Sequence, residues 1–87
     1  MMGYGFRFPE ITLNDPASEM FKHLVDEANE AVTAYRLESA TYKDVCMELF
    51  DVIQMAETLI RYYGVFTDLD KCYVDVIAKN RRRGYYD

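Results

Sequence analysis

The sequence predicts an all-α fold with three main helices. Helix-start and helix-stop residues recur along the chain, the apolar residues between them repeat at helical spacing, and no segment alternates as a strand does. An arm over residues 1–13 precedes a single helical domain over residues 14–87. Of the 87 residues, 51% are hydrophobic, a large share for so small a surface. We therefore expect the helical bundle to be completed by oligomerisation.

The first two elements are the arm and helix one. The arm combines glycines and a proline with aromatic residues, which predicts an extended segment that docks onto the helical body. Asn14 or Asp15 is the predicted N-cap of helix one, with Pro16 at the first helical position. The helix is expected to run to about Glu38.

Helix two begins with Thr41 as predicted N-cap and Asp44 as its capping-box partner, and it ends at Tyr63 before Gly64. In its central part, residues 46–60, ten of fifteen residues are apolar. This composition predicts a largely buried helix.

Helix three is expected to begin after Thr67 as N-cap and to stop at Gly84. Acidic residues occupy its first turn and a basic cluster its last, which matches the helix dipole. Val74 and Ile77 give the helix its predicted apolar side, with Tyr73 at the margin.

Charge and cysteine usage exclude some classes of protein. A net charge of −5 and a pI near 4.7 argue against a general binder of nucleic acid or membrane surfaces. No apolar run has the length of a transmembrane helix and no signal peptide is recognisable, so a cytoplasmic protein is expected. Cys46 and Cys72 lack metal-ligand spacing and are interpreted as buried free thiols.

Two pairs of acids carry the functional hypothesis: Glu27 with Glu30, and Glu48 with Asp51. Residues three apart lie on one helix face, so each pair presents two carboxylates side by side. At about 100° per residue, Glu48 and Asp51 share a sector with apolar residues, whereas Glu57 lies opposite and is predicted to be solvated. The first pair also borders an apolar stripe, although such pairs are common on solvated faces too.

The seventeen residues between Glu30 and Glu48 allow two antiparallel helices to bring the four carboxylates together. Burying like charges is costly unless they are neutralised, paired or bound to a metal ion. Four oxygen ligands suit a hard divalent cation, so Mg²⁺ or Mn²⁺ is the predicted cofactor.

Taken together, the segments Glu27-Ala-Asn-Glu30 and Glu48-Leu-Phe-Asp51 resemble the ExxE…ExxD signature of the MazG-like all-α nucleoside triphosphate pyrophosphohydrolases. The segments DEANEAVTAYR and ELFDVIQMAETLI resemble the first two helices of that family, and KNRRRGYY resembles the basic end of its short members. The resemblance covers residues 22–86, although the chain has three clear helices where many members have four or more.

The resemblance implies a MazG-like bundle that cleaves a nucleoside triphosphate to monophosphate and pyrophosphate. Glu27, Glu30, Glu48 and Asp51 would be catalytic and would hold one or two Mg²⁺ ions, one carboxylate activating water. Lys79, Asn80 and Arg82 or Arg83 would bind the phosphates. The expected partners are the nucleotide and further copies of the chain, as a homodimer or tetramer, with no membrane and no nucleic acid.

Other interpretations were weighed beside this one at the level of sequence. The basic run is also typical of a solvated helix end, and His23 either joins the site or is a bystander. A di-iron bundle would need an ExxH motif on each of two helices, which one histidine cannot supply. The main rival is a non-catalytic helical dimer whose basic C-terminal segment docks an acidic partner or RNA.

Overall fold

A computed structural model of the protein describes residues 4–12 and 16–86, and this part of the chain contains three α-helices and no strand. The helices are α1 (Ala17–Arg36), α2 (Tyr42–Tyr63) and α3 (Leu69–Arg82). The predicted all-α class is confirmed. None of the helices in the described ranges combines the length and apolarity required to cross a bilayer.

The helix boundaries follow local chemistry, with small corrections. α2 begins with the predicted capping box: the Thr41 hydroxyl accepts from Asp44 N–H, and the Asp44 carboxylate accepts from Thr41 N–H. Pro16 occupies the N-cap position of α1 without a capping side chain and is not the first helical residue. The predicted caps Asn14 and Asp15 lie outside the described residues.

The other two ends also differ slightly from the prediction. α1 ends at Arg36 and not near Glu38. At α3, the side chain of Asp68 accepts from Lys71 N–H and is the cap in place of Thr67. Gly84 follows α3 with φ of +77°, a left-handed conformation that suits glycine after a helix.

The core lies between α1 and α2, which pack as an antiparallel hairpin. Met20, Met55 and Leu59 are its buried centre, and the rings of Phe21 and Tyr63 lie 6.1 Å apart at one end of the hairpin. Burial of each such side chain contributes about 1.5–3 kcal/mol. So few buried residues make a small core for one chain.

The described part of the arm is bound to α2 through Glu57, which is 2% exposed. The Glu57 carboxylate accepts hydrogen bonds from Arg7 N–H and Phe8 N–H at 2.9–3.1 Å, and from the Tyr4 hydroxyl at 3.1 Å. The prediction that Glu57 is solvated was therefore wrong. The face opposite the acid pair is covered by the arm and not by water.

Charge and hydrogen bonding around Glu57 set two pKa values. Burial alone would raise the pKa of Glu57, but the N–H donors of Arg7 and Phe8, the Tyr4 hydroxyl and the charge of Arg61 together lower it. The pKa of Tyr4 is raised, first by burial and then by its hydrogen bond to the anionic Glu57. Glu57 is thus held as a carboxylate in a dry setting.

Further contacts fasten the arm along α2. Arg61 Nη2 donates to the Phe8 carbonyl at 2.6 Å, and the Arg61 guanidinium lies 4.2 Å from the centre of the Phe6 ring. Ile11 N–H donates to the Thr58 hydroxyl at 3.1 Å. These contacts provide hydrogen-bond partners for backbone groups of the arm, an extended segment that is not paired with a strand in the described structure.

α3 packs loosely, with no residue fully buried. Its main described tether is the arm, because Tyr4 N–H donates to Asp70 at 2.8 Å and the Tyr4 ring lies 5.5 Å from Tyr73. Between α3 and the hairpin lies a cavity of about 550 Å³. Leu69, Cys72, Tyr73 and Val76 line it from α3. On the predicted apolar side of α3, Ile77 is half-buried and Val74 is 50% exposed.

Two burial predictions fail in the single chain. The part of α2 that carries the acid pair was expected to be buried, yet Met47, Leu49, Phe50 and Ile53 are all exposed. Cys46 and Cys72 are free, as predicted, but both are exposed and not buried.

Candidate metal centre

Three of the four predicted acids come together where α1 and α2 pack. Glu27 of α1 and Glu48 and Asp51 of α2 each offer one carboxylate oxygen, and these oxygens all lie within 4.8 Å of one another. We call these residues the acidic triad. Opposite oxygens around one Mg²⁺ ion are about 4.2 Å apart, and around one Ca²⁺ ion about 4.8 Å. The triad is therefore close to the size of a single-cation site.

The geometry of the triad follows from the sequence spacing. Glu48 and Asp51 are three residues apart and project from one face of α2. The short connection between α1 and α2 returns the chain so that Glu27 meets this face. The hairpin thus brings together, in space, residues more than twenty positions apart.

Glu30, the fourth predicted acid, does not join the triad. It is exposed, and it lies close enough to Glu27 to form a hydrogen bond with it and to repel its charge. The predicted meeting of four carboxylates is therefore reduced to three in the described structure. Glu30 extends the negative potential of the site on its α1 side.

The triad is less sheltered than predicted, because Glu27 and Glu48 are half-buried and Asp51 is exposed. One atom is nevertheless fully enclosed: Glu48 Oε2 is buried and has no hydrogen-bond partner among residues 4–12 and 16–86. A buried carboxylate oxygen without a donor is uncommon in folded proteins, since its desolvation goes uncompensated. A cation bound by the triad would compensate for it.

The pKa of Glu27 is raised, first by burial and then by the neighbouring Glu30, with Asp51 and Glu48 adding to the effect. In the described residues, no Lys or Arg forms an ion pair with the triad. The carboxylates therefore repel one another without a counter-charge from those side chains.

The predicted phosphate ligands lie at the end of α3, away from any described contact with the triad. Lys79, Arg82 and Arg83 are exposed and Asn80 is half-buried. Tyr85 N–H donates to the Asn80 carbonyl at 3.1 Å. Within one chain, the described structure does not join these basic residues to the acids.

Residues that sequence reasoning passed over surround Glu57. Tyr4 and Arg61 fix the arm, yet neither was singled out as a contact. The sequence did contain a signal for these contacts. Glu57 lies inside an apolar helical segment, and the extended aromatic arm has backbone N–H groups that need acceptors. His23 is exposed one turn before Glu27.

Comparisons with known proteins identify no relative: no family model, no curated protein and no solved structure matches the chain.

Proposed function

We propose that the chain is a Mg²⁺-dependent nucleoside triphosphate pyrophosphohydrolase of the MazG-like kind, acting on the nucleotide pool of the cytoplasm. The single observation that carries this proposal is the acidic triad, whose three oxygens lie within 4.8 Å. The buried Glu48 Oε2 also supports it, because no hydrogen-bond donor among the described residues reaches this oxygen.

The donor set fits magnesium. Three carboxylates and no nitrogen or sulfur ligand favour a hard cation, and the exposed Asp51 leaves room for water and phosphate oxygens in the remaining positions. When bound, Mg²⁺ or Mn²⁺ would supply neutralisation of the triphosphate charge and polarisation of the attacked phosphorus.

The chain's own residues would divide the other tasks. Glu27, Glu48 and Asp51 would fix the position of the phosphates relative to the hairpin, and one of them would accept the proton of the attacking water. Glu30 would support Glu27. Lys79, Asn80 and one of Arg82 or Arg83 would have to reach the phosphates by adjustment of α3 or from another copy of the chain.

The alternative is a non-catalytic helical dimer that binds partners through its basic C-terminal segment. The exposure of Lys79, Arg82 and Arg83 favours it, as does their lack of described contact with the triad. The two functions differ in how they respond to Glu48: the interaction module is indifferent to that side chain, whereas the enzyme is not.

A product assay separates the two functions. Nucleoside triphosphates, including modified ones, are incubated with Mg²⁺ and scored separately for pyrophosphate and orthophosphate. We expect pyrophosphate together with the monophosphate. Glu48→Gln should reduce turnover by about 100-fold or more, the scale of losing one preorganised electrostatic group.

Glu38→Gln is the matched control, because Glu38 is an exposed glutamate in the connection between α1 and α2. It should keep wild-type turnover. Orthophosphate with diphosphate would show that the cleaved bond is misassigned, and no turnover of any substrate would favour the interaction module.

A further inference from the structure

One face of α2 binds the backbone of the arm. Four polar side chains of α2 are spaced i, i+3, i+4 and i+7 and therefore lie on one side of the helix: Gln54, Glu57, Thr58 and Arg61. They accept hydrogen bonds from the N–H groups at positions 7, 8 and 11 of the arm and donate to the carbonyls at positions 8 and 9, at 2.6–3.2 Å. α2 therefore holds the arm by its main chain, in one defined register.

Tyr4, in the same arm, also contacts α3. Its hydroxyl donates to Glu57 of α2 at 3.1 Å, whereas its N–H donates to Asp70 of α3 at 2.8 Å. Its ring lies 5.5 Å from the Tyr73 ring and lines the 550 Å³ cavity between α3 and the hairpin. Tyr4 is therefore a bridge between α2 and α3.

The direct hold of the hairpin on α3 is concentrated near the start of α3. Leu69 packs onto Gly64, where it occupies the space that a Cβ atom would need. The α3 residues that line the cavity end at Val76, although the helix continues to Arg82. Tyr4 therefore supplies a substantial part of what keeps α3 against the hairpin.

The hairpin and α3 differ in what holds them folded. The hairpin has a buried core of Met20, Met55 and Leu59, whereas no residue of α3 is fully buried. Segments with few buried apolar contacts open at a lower free energy than the core does. A released α3 would also lose its helix, because an isolated helix of 14 residues is marginal in water. α3 should therefore open while the hairpin remains folded.

We propose that the arm is a strap, α3 a lid over the apolar cavity, and Tyr4 the latch that makes the two open together while the hairpin stays folded. Opening uncovers the cavity and frees the basic end of α3, which carries Lys79, Arg82 and Arg83. The approach of this end to the acidic triad rests on the proposed function. The latch rests on the contacts of Tyr4 alone and is tested without a nucleotide.

Native-state hydrogen exchange of the full chain in low urea measures the opening free energy of each amide. In wild type, the amides of Phe8 and Ile11 in the arm and those at positions 73–80 in α3 should share one opening free energy. It should be lower than that of Met55 and Leu59 in the hairpin. Separate openings of the arm and α3, or one common value for all three regions, would overturn the latch.

Tyr4→Ala should speed exchange in the arm and α3 by about tenfold or more, the scale of losing a hydrogen bond to a charged group. Ala31→Gly is the control, because it weakens a buried position of α1 that is helical in both the closed and the open state. It should speed exchange at Met55 and Leu59 about fivefold and leave the arm and α3 at wild-type rates. Unchanged α3 rates in Tyr4→Ala would overturn the proposal, as would an Ala31→Gly effect that reaches α3.

Discussion

Glu48 and Glu57 lie nine residues apart on α2 and differ in whether their carboxylates have hydrogen-bond donors. Glu57 is almost fully buried, yet three donors from the arm and the nearby Arg61 satisfy its carboxylate. Glu48 is less buried, but in the part of the chain that the structure describes its Oε2 atom has no hydrogen-bond partner, and the other two members of the triad are acids. Burial alone does not distinguish a structural acid from a candidate ligand. The difference lies in whether the protein itself supplies the compensating donors.

The comparison predicts that Glu57 is the more important of the two for folding. Glu57→Ala would leave the N–H groups of Arg7 and Phe8 without an acceptor and Arg61 without its counter-charge, so we expect a loss of about 3 kcal/mol or more in unfolding free energy. Urea denaturation monitored by circular dichroism measures it.

Glu38→Ala is the control, since it removes an exposed glutamate and should change the unfolding free energy by less than about 0.5 kcal/mol. If Glu57→Ala also changed the unfolding free energy by less than about 0.5 kcal/mol, the arm would not be anchored by this carboxylate. Glu57 would then be no more important for folding than an exposed acid.

The two kinds of acid should also respond to pH with opposite sign. The pKa of Glu57 is lowered in the folded state from 4.5, so its contribution is complete above that value and is lost as pH falls through the folded pKa. The pKa of Glu27 is raised from 4.5. Its penalty is absent below that value and grows as pH rises through the folded pKa.

The pH-dependent contributions of Glu57 and Glu27 are obtained as differences in stability between wild type and single variants. Without divalent ions, the advantage of wild type over Glu57→Gln should shrink on acidification. The stability of wild type relative to Glu27→Gln should fall as pH rises. Urea midpoints measured between about pH 2 and 7 test both, because the contribution of Glu57 is lost only below 4.5. Parallel pH curves for wild type and Glu27→Gln would show that the acids of the triad do not repel one another in the folded state.

Features that depend on neighbouring residues could be predicted from the sequence. The capping box of Thr41 and Asp44 needs only a four-residue segment, and the helical class follows from spacing. The meeting of Glu27 with Glu48 and Asp51 was also foreseeable, because it requires only two helices and a short connection. Glu30 does not join the triad. Whether both Glu27 and Glu30 face α2 depends on how α1 is rotated about its axis, and the sequence spacing does not determine this rotation.

Features that depend on distant partners could not be predicted. The angular position of Glu57 opposite Asp51 and Glu48 was sound, but its cover comes from the N–H groups of Arg7 and Phe8, about fifty residues away in the chain. Leu49 and Ile53 were expected to be buried, yet both are exposed in the described chain. Periodicity identifies an apolar side and says nothing about what covers it.

Calorimetric titration of the metal-free protein with Mg²⁺ tests directly whether the acidic triad binds a cation. Wild type and the exposed-acid control Glu38→Gln should bind Mg²⁺ saturably, and Glu48→Gln should lose this binding while it stays folded. Binding that Glu48→Gln retains at wild-type strength, or no binding by wild type, would show that the triad is not a magnesium site.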